Sequence, residues 1–103
     1  MKIQDQTALV TGAASGLGEA TARELARLGA RVAVLDMNLA RAEQVAADIN
    51  TAHGAGRAVA CECDITRTDN LQAALDRATQ ALGPARILMN VAGIGSAKRI
   101  VGK

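Results

Sequence analysis

The amino-acid sequence predicts an α/β fold, a doubly wound parallel sheet built in the order β-α-β-α-β-α-β. Three observations carry that prediction. Short aliphatic runs alternate with longer segments whose apolar residues recur every three or four positions. Glycine, once with proline, ends the helical segments. The second strand is apolar almost throughout, as suits a strand covered on both faces. Strands that alternate with helices join through right-handed crossovers into a parallel sheet.

Thr7 to Thr11 is the first strand, a short run with Thr and Val. From Leu17 the period changes, and Leu17, Thr21, Leu25 and Leu28 fall on one stripe of a helix, read as its core face. Gly29 ends that helix. Arg31 to Leu35 is the second strand, closed by Asp36. Leu39, Ala42, Val45, Ala46 and Ile49 define a second amphipathic helix, and His53 to Gly56 is the turn after it. Ala58 to Cys63 is the third strand, closed by Asp64-Ile65. Thr66 or Thr68 is the expected cap of a third helix, with Leu71, Leu75, Ala78 and Leu82 inside. Gly83-Pro84 stops it. Ile87 to Met89 is the fourth strand, followed by Asn90-Val91-Ala92-Gly93.

The totals bound the function. A chain of 103 residues is one small domain. Half of it is hydrophobic and 21% is charged, as in globular proteins. A net charge of +2 gives no reason to expect nucleic acid or a membrane surface as a partner. No apolar run approaches the roughly 18 residues of a membrane helix. Residues 1–5 carry no signal-peptide core, so a cytoplasmic location is expected. Phe, Tyr and Trp are absent, which leaves a thin hydrophobic inventory for a free-standing domain. Cys61 and Cys63 share one strand face and are read as small core residues, with no metal site. His53 is read as an exposed turn residue, and Arg23, Glu24, Arg27 and Arg77 as solvated surface.

Ligands of open α/β sheets bind beyond the carboxyl ends of the strands. The first such end is Thr-Gly-Ala-Ala-Ser-Gly-Leu-Gly, residues 11–18. Gly12 can turn the chain sharply out of the strand. Gly16 and Gly18 allow close backbone approach to a ligand and close packing of the helix on the sheet. The helix then opens with unpaired N–H groups and a positive dipole end, which suits a phosphate, and Ser15 adds a hydroxyl. The glycines are too close together, and no Lys follows, for a kinase-type phosphate loop. A plain glycine-rich connecting turn is the competing account.

Asp36 ends the second strand, where an acid can take the adenosine ribose hydroxyls and repel a 2′-phosphate. Neither Ser15 nor Met37 is basic, and Arg41 lies about one helical turn further on. The reading is NAD rather than NADP. Asp36 as a simple strand-end or helix-cap aspartate is the alternative. Asp64 alone is a weak signal, because Asp commonly starts turns. A methyltransferase-like fold binding S-adenosylmethionine also uses a glycine turn and an acid after its second strand. The glycine spacing and Asn90-x-Ala-Gly93 disfavour it.

Together these segments resemble the short-chain dehydrogenase/reductase family. Residues 11–18 match its Thr-Gly-x-x-x-Gly-x-Gly cofactor motif. Asp64-Ile65 matches its adenine-contacting Asp-Val type pair. Asn90-Val91-Ala92-Gly93 is similar to its Asn-Asn-Ala-Gly segment, with Val91 in place of the second Asn. The resemblance implies a Rossmann-like fold with strand order 3-2-1-4. It also implies NAD binding by Gly12, Ser15, Gly16, Leu17, Gly18, Asp36, Asp64, Ile65, Asn90, Val91, Ala92 and Gly93. Residues 11–22, Asp36 and the tail 92–103 look most like the type 2 3-hydroxyacyl-CoA dehydrogenases, which oxidise 3-hydroxyacyl-CoA and, in some members, hydroxysteroids. Lys98, Arg99 and Lys103 are read as exposed loop charges.

The family's catalytic Ser and Tyr-x-x-x-Lys pair come in a second half with no counterpart here, and this sequence has no Tyr. No residue is therefore assigned a catalytic role. The resemblance implies the cofactor-binding portion of a longer, commonly tetrameric oxidoreductase, a homo-oligomer whose remaining half is a needed partner. A non-catalytic dinucleotide-binding module is the alternative. In either case the fourth strand would be an open apolar edge that invites pairing.

Overall fold

The computed structural model describes residues 3–12, 16–64 and 66–90. Four strands and three helices alternate: β1 (Thr7–Thr11), α1 (Gly16–Arg27), β2 (Arg31–Asp36), α2 (Leu39–His53), β3 (Ala58–Glu62), α3 (Thr68–Leu82) and β4 (Ala85–Asn90). All strand pairs are parallel, in the order β3-β2-β1-β4. The expected fold class and strand order are thus observed.

The sheet is covered on both faces. On one, Ala8, Val10, Val32 and Val34 meet Ala22, Leu25 and Ala26 of α1 and Ala42, Val45, Ala46 and Ile49 of α2. On the other, Leu9, Ala33, Leu35, Cys61 and Cys63 meet Ala74, Ala78 and Leu82 of α3, with Leu71 and Leu75 packed against them. Alternate residues of β1 and β2 feed opposite cores, which explains why their sequences are apolar without interruption. Two polar side chains are buried on β1, Thr7 and Thr11. Thr7 Oγ1 donates to the Leu82 carbonyl at 2.8 Å, which serves a C-terminal carbonyl that α3 cannot pair internally.

The structure corrects the reading of α1. Its buried residues are Gly18, Ala22, Leu25 and Ala26, whereas Leu17 and Leu28 are exposed. Two stripes overlap on this helix at the same spacing. The sheet takes the stripe of small residues, because a helix without bulky side chains can lie closer to the strands. The cap of α3 is also corrected. Arg67 occupies that position with no side-chain cap bond, and Thr68 is already helical. The Thr66 hydroxyl bonds to Asp64 instead. His53 is the last residue of α2, and Gly54, at φ 117°, turns the chain out of it.

β4 lies at the outer edge of the described sheet. Its pairing with β1 shifts register between Thr7 and Ala8, whose partners are Ala85 and Ile87. Leu88 is 64% exposed, and Met89 is exposed as well.

Candidate dinucleotide site

The strand registers bring the carboxyl ends into one row. Asn90 of β4 pairs with Thr11 of β1, which pairs with Leu35 of β2, and the next residue, Asp36, pairs with Glu62 of β3. Beyond the last pair, the Cys63 N–H still donates to the Asp36 carbonyl at 3.0 Å, which carries the row on to Asp64. Gly12, Asp36, Asp64 and Asn90, four predicted site residues distant in sequence, therefore share one end of the sheet. Ser15, Ile65, Val91, Ala92 and Gly93, and the tail beyond them, lie outside the described residues.

The described glycines of the turn have different jobs. Gly12 is buried at φ 68°, a left-handed conformation that suits glycine and takes the chain sharply out of β1. Gly18 is buried on the sheet side of α1, so it serves helix packing. Gly16 opens α1, and a Cβ built on it would meet nothing within 4 Å. Among the described residues beyond its own turn, none gives a steric reason for glycine there. A ligand pressed against the backbone at the N-terminus of α1 does give one. Leu17, 59% exposed in the same first turn, stands clear of the core. These features fit a dinucleotide pyrophosphate near Gly12 and the start of α1.

Asp36 is fixed as well as placed. Its Oδ1 accepts the Asn38 N–H at 2.9 Å, and Asn38 Oδ1 in turn accepts the Arg41 N–H at 3.1 Å as the N-cap of α2. The chain leaves β2 through two consecutive side-chain-to-backbone bonds, which hold the carboxylate at the strand end. Asp64 is organised similarly. Its Oδ1 accepts both the Thr66 N–H at 3.0 Å and the Thr66 hydroxyl at 2.6 Å, and its own N–H donates to Asn70 Oδ1 at 3.2 Å. The bonds from Thr66 lower the pKa of the Asp64 carboxyl.

Sequence reasoning passed over several residues at this end. Glu62, Met37, Arg67 and Asn70 line a cleft of about 220 Å³ with Asp64. Glu62 could have been found from its alternation with Cys61 and Cys63 at a strand terminus. It adds a third carboxylate beside Asp36 and Asp64, with Arg67 set against them in the cleft. Glu19, on the first turn of α1, is not among the predicted site residues. It pairs with Arg23 at 2.6 Å and with Arg41 at 3.2 Å, and so ties α1 to α2. Among the described residues no cluster of His, Cys, Asp and Glu could hold a metal ion, and no helix is long and apolar enough to cross a membrane.

Residues 6–101 match the family model described as short chain dehydrogenase. The D-threitol dehydrogenase of Mycolicibacterium smegmatis is 42% identical over 93 residues, which cover 90% of this chain and 35% of that protein. Among solved structures, a hydroxysteroid dehydrogenase from Escherichia coli superposes with a TM-score of 0.80 at 38% identity, over 86% of this chain and 37% of that one. A 3-ketoacyl-(acyl-carrier-protein) reductase from Brucella melitensis, solved in complex with NADH, gives a TM-score of 0.76 at 36% identity. It matches 84% of this chain and 34% of its own. The chain thus spans little more than a third of the length of each of these three relatives.

Proposed function

Starting from a chain that belongs to the short-chain dehydrogenase/reductase family, we propose that it is the NAD-binding portion of an oxidoreductase. That enzyme transfers a hydride between NAD and a secondary alcohol or its ketone. The observation that carries this reading is the open space over Gly16 at the start of α1, together with Asp36 at the end of the strand beside β1. The backbone of residues 12–18 holds the pyrophosphate, Asp36 takes the ribose hydroxyls, and Asp64, Ile65 and residues 90–93 flank the rest of the cofactor. The bound nicotinamide supplies the hydride chemistry.

NAD rather than NADP is supported by charge. Asp36, Glu62 and Asp64 crowd the end where a 2′-phosphate would sit, and like charges at short range disfavour it. Arg41, the nearest basic side chain downstream of Asp36, is engaged by Glu19 and Gln44. The substrate class rests on the relatives, whose names place a sugar alcohol, a steroid and a ketoacyl thioester among their substrates. Within that range a 3-hydroxyacyl-CoA is the narrower candidate suggested by residues 11–22 and the tail.

The catalytic Ser and Tyr-x-x-x-Lys pair of this family are proposed to lie outside these residues, and the 103-residue chain alone is proposed to be inactive. The exposed Leu88 and Met89 on β4 support a further strand or partner seated there. A non-catalytic dinucleotide module would use the same site but would have to stay folded and monomeric alone. Reading the gene past Lys103 and assaying its full product for NAD reduction with secondary alcohols tests the proposal. A downstream Tyr-x-x-x-Lys and NAD-dependent turnover are expected. A stop codon at that point, with a sharp monomeric unfolding transition for the isolated chain, would favour the module.

A further inference from the structure

The Glu19 carboxylate sits between two guanidinium groups. Its Oε2 is 2.6 Å from Arg23 Nη2, and its Oε1 is 3.2 Å from Arg41 Nη2. Arg23 has a second carboxylate partner in Asp48, at 2.9 Å. Arg41 is rooted in the first turn of α2, joined through Asn38 to Asp36. One acid on α1 therefore draws toward itself the basic side chain that follows the ribose-facing aspartate.

Resting on the NAD reading above, we infer that Glu19 is a specificity-determining residue for the cofactor. It acts through Arg41 and is a positioning residue. While Glu19 pairs with Arg41 and holds its guanidinium against α1, Asp36 sets the charge at the ribose end and disfavours a 2′-phosphate. Without the Glu19 carboxylate, Arg41, linked to Asp36 through Asn38, is released to pair with such a phosphate, because a guanidinium binds phosphate through a charge-assisted fork. Asp36 alone does not account for selectivity in this arrangement. The pair 22 residues apart completes it.

The test is calorimetric titration of the full gene product, and of its E19Q, E19Q/R41Q and D48N variants, with NAD and with NADP. E19Q is expected to raise affinity for NADP relative to NAD about tenfold. Adding R41Q should erase that gain. D48N, which removes a partner from Arg23 and not from Arg41, should leave the ratio unchanged. An unchanged ratio in E19Q, with NAD still bound by the parent protein, overturns this inference alone, as does a gain that survives R41Q. A parent full-length protein that binds neither nucleotide overturns the NAD reading and this inference together.

Discussion

Asn50 on α2 closes the turn into β3 by holding Ala58 at both of its backbone groups. Asn50 Nδ2 donates to the Ala58 carbonyl at 3.0 Å, and Asn50 Oδ1 accepts the Ala58 N–H at 2.8 Å and the Arg57 N–H at 2.9 Å. One amide thus satisfies three backbone groups where the parallel sheet begins a new strand. Replacing Asn50 by Ala takes that partner from all three in a half-buried turn, where the Arg57 N–H keeps the Gly54 carbonyl at 3.3 Å. Urea denaturation should show a loss of about 2–3 kcal/mol of stability. Asn50→Asp keeps the acceptors and loses the donor, so it should fall between the two.

Gly16 separates binding from folding. Among the described residues beyond its own turn, nothing lies within 4 Å of a Cβ there, so Gly16→Ala should leave stability unchanged or raise it by about 0.4–1 kcal/mol. The added methyl lies where the pyrophosphate must approach the backbone, so NAD affinity should fall about tenfold or more. Thermal unfolding and a binding titration on the same sample check both halves. A variant that binds NAD normally would remove Gly16 from the site.

Cys61 and Cys63 are thiols, each 2% exposed, on the face of the sheet that packs against α3. Desolvation pushes both pKa values up. Arg77 pulls Cys61 back in part, while Cys61 and Asp64 push Cys63 further. The thiolate is the reactive form, so neither should label with iodoacetamide at neutral pH in the folded chain, and both should label in denaturant. Mass spectrometry reads the difference. Rapid labelling of the native chain would contradict the packing described.

Asp64 makes a pH-dependent contribution. Its folded pKa is depressed by the Thr66 hydroxyl and N–H, so the stability it confers is present above the unfolded carboxylate value of about 3.9. That contribution is lost as the pH falls through the lower folded value. Thr66→Val removes the hydroxyl bond and should move the Asp64 titration, followed by NMR, upward toward the ordinary range. An unmoved titration would assign the shift to another cause.

The sheet was legible in the sequence for a physical reason. Val32 to Leu35 serve two cores at once, so an unbroken apolar run reported a doubly covered strand, and the strand ends carried Gly12, Asp36, Asp64 and Asn90. The helix faces were less legible. Leu17 and Leu28 share their spacing with Gly18, Ala22 and Ala26, and only the close approach of α1 to the sheet decides which stripe is buried. The choice between Thr66 and Thr68 as a cap failed because Asp64 takes the Thr66 hydroxyl. The Glu19–Arg41 pair depends on how two helices lie side by side, which no local pattern encodes.

The most direct test of the dinucleotide site is calorimetric titration of the full gene product with NAD, NADP and S-adenosylmethionine. NAD should bind, NADP should bind more weakly, and S-adenosylmethionine should give no saturable heat. Preference for NADP would contradict the role given to Asp36, and binding of S-adenosylmethionine with neither dinucleotide would contradict the site itself.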